Sequence, residues 1–542
     1  MAAAMPPQAL AQLAPPASGG ITALEEALRP LGVYKRLLII GAHPDDEDTE
    51  LLTLAVRKHG AAAAYLSLNR GEGGQNLIGP ELGEALGLIR TEELLAARRI
   101  DGARQFFTRA YDFGYSKSID DTWHHWPRDS ILKDVVRIVR RFRPQVIVSV
   151  FSGTLSDGHG QHQAAGWAAH EAFRVAGDSM VFPELFVEEW LRPWSPVKLY
   201  RSARFRSREA TLRISGGELD PVVGRSYHQI AMRSRSQHRS QDMGRLERMG
   251  PSEIRVTLVE DRSGTDHGGD GLFAGVPTDF SAVLSGIGGD QGTLQRLSAT
   301  YVARVANAKN VPRPDSLEAL GDSLALAWHD LVALMDGVAS ASTGSMGMLV
   351  SPVLHDQSLH LAEAVRVSRG AVFDVYTNRG HSTPGDTLTL TMLSWNASAV
   401  PAGLVMWLQQ RVGVLPRRPG TSDGTVVGPG EVDTVTVDLV PDRLAINPYF
   451  LQAPRDGALY RWVVEHGVSH RGIFSVYGLP FGPAPVRGAF TMFLDEGSLT
   501  FHREASYRFR DQAFGEIRRP VVVLPRLDVV LEPRKTVLQV GG

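Results

Sequence analysis

The segment RLLIIGAHPDDE, residues 36–47, opens with an unbroken apolar run of strand length and closes on a histidine and three acids. A short run of Leu and Ile with no polar alternation suits a strand buried on both faces, as in a parallel sheet. Asp48 to Lys58 then reads as a helix. Polar side chains where a buried strand gives way to a helix stand at the carboxyl edge of an open α/β sheet, where ligands bind. Alternatively the HPDD stretch is an ordinary turn with a helix-capping aspartate.

Outward from this segment the same unit repeats. AAAAYLSL (61–68) is a second strand, followed by the glycine-rich loop RGEGGQN (70–76) and an amphipathic helix over 83–101. RQFFTRA (104–110) is a third strand candidate, 130–142 a helix, and QVIVSV (145–150) the clearest strand of the set. Strands alternating with helices predict an α/β fold around a parallel sheet. Beyond residue 200, 226–248 reads as a helix that puts Tyr227, Ile230, Ser234, His238 and Gln241 on one face. Residues 261–271 read as a loop whose acids lack calcium-loop spacing, and 315–338 as a strong helix. From Ala371 the runs VFDVYT, TLTLTMLSW, TVTVDLV and YRWVVEH have period two, which predicts one or two β-sandwiches. The expected layout is a flexible tail over 1–30, the α/β domain over 31–285, a helical bridge over 286–369 and β-sandwich modules over 370–542.

Composition narrows the function. In 542 residues, 43% hydrophobic and 21% charged, the chain has the make-up of a folded globular protein. Lys+Arg 57 against Asp+Glu 59 leaves a net charge of −2, so no global field draws the protein to nucleic acid or anionic lipid. Cysteine is absent, which excludes disulfides, thiolate metal sites and cysteine nucleophiles and leaves His, Asp and Glu as strong metal ligands. No uninterrupted apolar window reaches the roughly 18 residues of a membrane span. The Ala/Pro-rich first twenty residues lack a basic start and an apolar run. As the remnant of a removed export signal they would imply a periplasmic or extracellular protein, and otherwise a cytoplasmic one.

A second cluster, DGHGQH (157–162), follows strand 145–150 at the start of another helix. If strands 36–42 and 145–150 are neighbours, His43, Asp46 and His162 can converge on one cation. Two imidazoles and a carboxylate are a catalytic zinc set that keeps one position open. Such a cation would polarise an amide carbonyl and acidify a water. Arg70 can hold a substrate hydroxyl or phosphate, or make a structural ion pair. The Trp123-His124-His125-Trp126 run reads as core rather than as a sugar platform or second metal site.

In combination AHPDDE (42–47), the RGEGG loop and the HGQH pair resemble the PIG-L (LmbE-like) zinc-dependent N-deacetylase superfamily. The resemblance covers roughly residues 35–200. It implies a Rossmann-like catalytic domain, Zn²⁺ or another divalent metal held by His43, Asp46 and His162, and Asp45 as general base for the attacking water. It also implies His159 as the group that meets the developing oxyanion or protonates the amine. Arg70, Glu72 and His238 are then expected on the substrate, an N-acetylglucosamine-type sugar or glycoconjugate. The alternatives are a glycan-binding protein with a degenerate deacetylase domain and an amidase on a non-sugar N-acyl substrate. Where the family more often has Pro-Asp between its histidines, this chain has Gly160-Gln161, so the support behind the ligands is open.

Overall fold

The computed structural model describes residues 19–204, 207–264, 271–311, 317–341, 351–409, 415–416, 425–441, 447–463, 471–495 and 497–527. Five parallel strands form the centre of the first sheet: β1 (Arg36–Gly41), β2 (Ala62–Ser67), β3 (Arg104–Phe107), β4 (Val146–Ser149) and β5 (Lys198–Ser202). Their order is β3-β2-β1-β4-β5, and β6 (Leu212–Ser215) and β7 (Glu253–Asp261) extend it antiparallel beyond β5. Strand β1 pairs with both β2 and β4, Leu38 facing Ala64 on one side and Ile147 on the other. The chain reverses its winding at β1, so the loops after β1 and β4 open side by side.

The apolar run of β1 serves two cores. Leu38 and Ile40 join the cluster under helices α5 (Arg128–Phe142) and α6 (Gly160–Val175), with Val135, Ala168 and Phe173. Leu37 and Ile39 join the opposite one, with Leu51 and Leu52 of α2 (Thr49–Thr53), Leu94 of α3 (Glu84–Asp101) and Tyr227. All four β1 residues are fully buried, each contributing about 2 kcal/mol relative to exposure. The predicted α2 continues as a π-helical turn over Leu54–Lys58. The WHHW run sits at the end of a helix over Ile119–His125, with Trp126 buried and its indole N–H on Tyr111 O at 3.0 Å.

Several expectations are corrected. The tail read over 1–30 contains a helix, α1 (Ile21–Leu28), because Leu24 and Leu28 find an apolar core; residues 1–18 lie outside the described residues. The helix read over 226–248 is only Tyr227–Arg235, continuing β1-side packing as α7. A separate 3-10 turn over Arg239–Gln241 follows, closed by Asp242 in a left-handed conformation, φ 58°. Part of the loop 261–271, residues 265–270, lies outside the described residues.

The bridge is three helices, α8 (Gln291–Lys309), α9 (Leu317–Ala341) and α10 (Pro352–Ser368). Helix α9 is long and apolar enough to cross a membrane by length and composition, although scattered polar residues leave it no uninterrupted apolar run. Here Leu320, Leu324, Leu331, Leu334 and Val338 are buried in a core shared with α1, α8 and α10.

The C-terminal region holds two larger β-sheets. One runs 415–416, β11 (Val432–Val440), β9 (Leu388–Asn396), β8 (Ala371–Thr377), β14 (Ser506–Asp511), β15 (Gly515–Pro520). The other runs 425–427, β10 (Ala402–Gln409), β12 (Arg487–Phe493), β13 (Ser498–Glu504). Phe373 of the first stacks on Phe490 of the second at 4.6 Å. Of the expected strand YRWVVEH, Tyr460–Val463 run irregularly, and residues 464–466 lie outside the described residues. This region, 447–463 and 471–482, packs instead on the α/β domain, where Tyr449, Phe450 and Tyr460 meet Tyr111.

Candidate metal centre

Strand β1 ends at Gly41, where a side chain is sterically excluded: a Cβ would lie 2.4 Å from Tyr65 Oη and 3.0 Å from Asp46 Cβ. The space admits the Tyr65 hydroxyl, which donates to His43 O at 2.5 Å. Asp46 folds the turn by accepting the backbone N–H groups of Ala42 (3.0 Å) and His43 (2.7 Å) on one oxygen. Asp48, not Asp45 or Asp46, caps α2, accepting from Leu51 N at 3.0 Å.

Opposite, His162 lies in the first turn of α6. Its Nδ1 faces Asp157 O at 3.3 Å and its ring stacks on Phe151 at 4.0 Å, so Nε2 is the atom presented to His43. His162 Nε2 lies 3.2 Å from His43 Nδ1 and 3.7 Å from Asp46 Oδ1, and His43 Nδ1 lies 3.3 Å from Asp46 Oδ2. Donor atoms of His43, Asp46 and His162 all fall within 4.8 Å of one another. A tetrahedral ion with bonds of about 2.0–2.1 Å separates its ligand atoms by roughly 3.3 Å, so these residues fit such an ion. Burial works against a charged His43, yet the Asp46 carboxylate carries it up to about 9. Burial also opposes ionisation of Asp46, but His162 and His43 hold it below the usual carboxylate range. The Asp46 carboxylate thus attracts both imidazoles, while burial and the neighbouring His43 lower His162.

His43 is fixed from behind. Its Nε2 donates to Gln161 Oε1 at 3.0 Å, an acceptor shared with the Asn69 amide at 2.7 Å. The Gln161 NH₂ donates to Asp112 Oδ1 (3.0 Å) and Gly114 O (2.7 Å), which sets the direction of the amide. A proton on His43 Nε2 leaves the Nδ1 lone pair for a cation. The departure from Pro-Asp thus has a structural answer: a neutral carboxamide takes the supporting position, with the carboxylate one step further out on Asp112.

Asp45 stands outside the donor set, with Arg90 Nη2 donating to its Oδ1 at 2.6 Å. The RGEGG glycines make room for that arginine. Gly71 has φ 77°, and a Cβ on it would lie 2.2 Å from Arg90 Nη1. His159 caps α6 and accepts Gln161 N–H on Nδ1 at 3.2 Å. Burial, then the neighbouring His43 and His162, lower it to about 4, so it is neutral at pH 7 with its proton on Nε2. Its ring centroid lies 5.2 Å from that of His43 and 5.0 Å from that of exposed Tyr115.

Three residues expected on the substrate lie inside the protein instead. Arg70 is 1% exposed, its guanidinium stacked between Phe107 (4.1 Å) and Phe450 (3.6 Å) and donating to Leu479 O and Pro480 O. Glu72, also buried, accepts from Tyr460 Oη at 2.7 Å and from Asp112 N at 3.1 Å, and burial pushes its carboxyl up to about 7. His238 is fully buried and donates from Nε2 to Glu47 Oε1 at 2.6 Å. Arg98 joins that pair, and Arg204 and Arg235 donate to Glu47 O, so the whole group braces the HPDD turn.

The motifs did not point to Arg90, Asp112 or Phe151 as site residues, and left the role of Gln161 behind the ligands open. Arg90 leaves a trace in the sequence: it interrupts the apolar stripe of α3 between Leu86 and Leu94, where a charge needs a partner.

A family model described as PIG-L: GlcNAc-PI de-N-acetylase matches residues 38–173. This stretch is a PIG-L family domain. A 1D-myo-inositol 2-acetamido-2-deoxy-alpha-D-glucopyranoside deacetylase from Thermobispora bispora is 28% identical over 191 residues, 32% of this chain and 60% of the relative. A diacetylchitobiose deacetylase from Thermococcus kodakarensis is 30% identical over 150 residues, 27% of this chain and 52% of the relative. The chain thus spans between half and two thirds of these relatives' lengths. Among solved structures, an N,N′-diacetylchitobiose deacetylase from Pyrococcus horikoshii, complexed with an inhibitor, matches with 18% identity and a TM-score of 0.30 over 41% of this chain and 77% of that one. The PIG-L domain carries the His43–Asp46–His162 cluster described above, where the fold places β1 beside β4.

Proposed function

We propose that this chain is a metal-dependent N-deacetylase of an N-acetylglucosamine-type sugar or glycoconjugate, with the C-terminal sheets forming a β-sandwich. The carrying observation is the convergence of His43, Asp46 and His162 from two neighbouring strand ends, with Asp45 beside them but outside the donor set. The relatives, deacetylases of a 2-acetamido-2-deoxy-glucopyranoside and of diacetylchitobiose, support the substrate class.

His43, Asp46 and His162 would hold a divalent cation, Zn²⁺ by ligand type, which when bound polarises the amide carbonyl and acidifies water. Asp45, oriented by Arg90, takes the proton of the attacking water and passes it to the departing amine. Neutral His159 donates its Nε2 proton as a hydrogen bond to the carbonyl oxygen as negative charge gathers there. The products are acetate and the free amino sugar, with no further co-reactant.

The test pairs acetate release from N-acetylglucosamine derivatives with metal analysis of the same sample. Chelation is expected to abolish turnover and Zn²⁺ to restore it. Asp45→Asn is expected to keep its metal while losing about 100- to 10,000-fold in kcat. Loss of metal together with activity would make Asp45 a ligand, and full turnover by a metal-free sample would dispose of the mechanism.

A further inference from the structure

The C-terminal region reaches the metal centre without touching it. Residues 447–463 and 471–482 form a strap against the α/β domain where β3 is the edge strand. Phe107 N donates to Gly478 O at 2.9 Å, Tyr111 N to Ala458 O at 2.9 Å, and Tyr460 N to Arg109 O at 2.7 Å. The strap therefore satisfies backbone groups that the edge strand and its exit would otherwise leave to solvent. It also supplies the acceptors and the aromatic face that hold the Arg70 guanidinium.

One hydrogen-bonded line runs from the strap to the donor set. Tyr460 Oη donates to Glu72 Oε1 at 2.7 Å, and Glu72 Oε2 accepts Asp112 N at 3.1 Å. Asp112 Oδ1 accepts the Gln161 amide at 3.0 Å, and Gln161 Oε1 accepts His43 Nε2 at 3.0 Å. Each of these five residues is buried. Gln161 has a direction only because its NH₂ end meets Asp112 and Gly114 O. Reversing the amide would set its NH₂ against the donors of Asn69 and His43 and its oxygen against a carboxylate. The position of Asp112 in turn depends on its backbone N–H, and so on Glu72.

We propose that the strap is a working part of the metal centre, with Tyr460 a positioning residue that sets, through Glu72, Asp112 and Gln161, the tautomer in which His43 meets the metal. The inference rests on His43 being a metal ligand, as proposed above. It extends the functional site to residues far outside the PIG-L match at 38–173.

The experiment is a Zn²⁺ titration of the full-length apo protein against a competing fluorescent chelator, with the thermal midpoint of each apo variant recorded alongside. Gln161→Ala is expected to weaken Zn²⁺ binding about 10- to 100-fold, as loss of a ligand's supporting partner does. Tyr460→Phe removes one hydroxyl and is expected to weaken it about threefold to tenfold, and to add nothing in the Gln161→Ala background. Tyr449→Phe is the control: its hydroxyl donates to Leu479 O within the same strap but lies off the line, so Zn²⁺ affinity stays at the wild-type value. Should Gln161→Ala fail to fold, Asp112→Asn replaces it in the cycle. Wild-type affinity in Tyr460→Phe, an equal loss in both backgrounds, or an equal loss in Tyr449→Phe overturns the inference. Failure of the wild type to bind one Zn²⁺ overturns the underlying metal-centre reading instead, so the two failures are told apart.

Discussion

Glu47→Gln tests whether the buried brace behind the HPDD turn is held by charge. Glu47 is fully buried, and burial alone would push its carboxyl up; His238 first, then Arg98 and Arg235, outweigh this and hold it at about 2. Against an ordinary value of 4.5, the folded state favours the ionised form by about 3 kcal/mol. Because the folded value is depressed, this stability is fully present above pH 4.5 and is lost as pH falls toward 2. Gln keeps the shape and removes the charge facing His238 and Arg98. The assay is urea unfolding at a series of pH values, read by hydrogen exchange of the β1 amides so that the transition followed is that of the α/β sheet. Wild type is expected to exceed the variant by about 3 kcal/mol at pH 7, with the gap closing on acidification. A difference that is small at pH 7, or one that persists unchanged at pH 2, would refute the electrostatic account of the brace.

Two further substitutions probe the surroundings of Asp45 and the corrected substrate assignments. Gly71→Ala places a methyl 2.2 Å from Arg90 Nη1 at a backbone φ of 77°, so it is expected to cost about 1–3 kcal/mol and to cut kcat by displacing Arg90 from Asp45; unchanged turnover would remove Arg90 from the mechanism. Arg70→Ala is expected to lower the thermal midpoint without raising KM, since the side chain is buried against the strap; a raised KM with an unchanged midpoint would return Arg70 to the substrate.

The part of the site legible in the sequence is the part made by local chemistry. Strand β1 announces itself by six buried residues in a row, and His43, Asp45 and Asp46 follow at its end, so their place on the sheet edge needed no long-range knowledge. The pairing of His43 with His162 required only that β1 and β4 be neighbours, as they are. Arg70, Glu72 and His238 were misplaced for a different reason. Decisive partners of Arg70 and Glu72 are Leu479, Pro480 and Tyr460, about four hundred positions downstream, and of these Tyr460 opens YRWVVEH, whose alternating pattern presented it as part of a strand. His238 was set on a helical face by spacing, whereas the helix ends at Arg235 and the imidazole turns inward onto Glu47. Burial of a charged side chain is decided by what arrives from elsewhere in the chain, and periodicity carries no trace of it.

The strap also alters what counts as a separable piece of this molecule. A fragment ending near residue 285 would contain every reacting group named above, yet the Arg70 guanidinium would lose the Phe450 ring and its two carbonyls, and Glu72 its phenol. Recombination with a homologue would have to carry Tyr460 and Glu72 across together, because each is built to the other's surface.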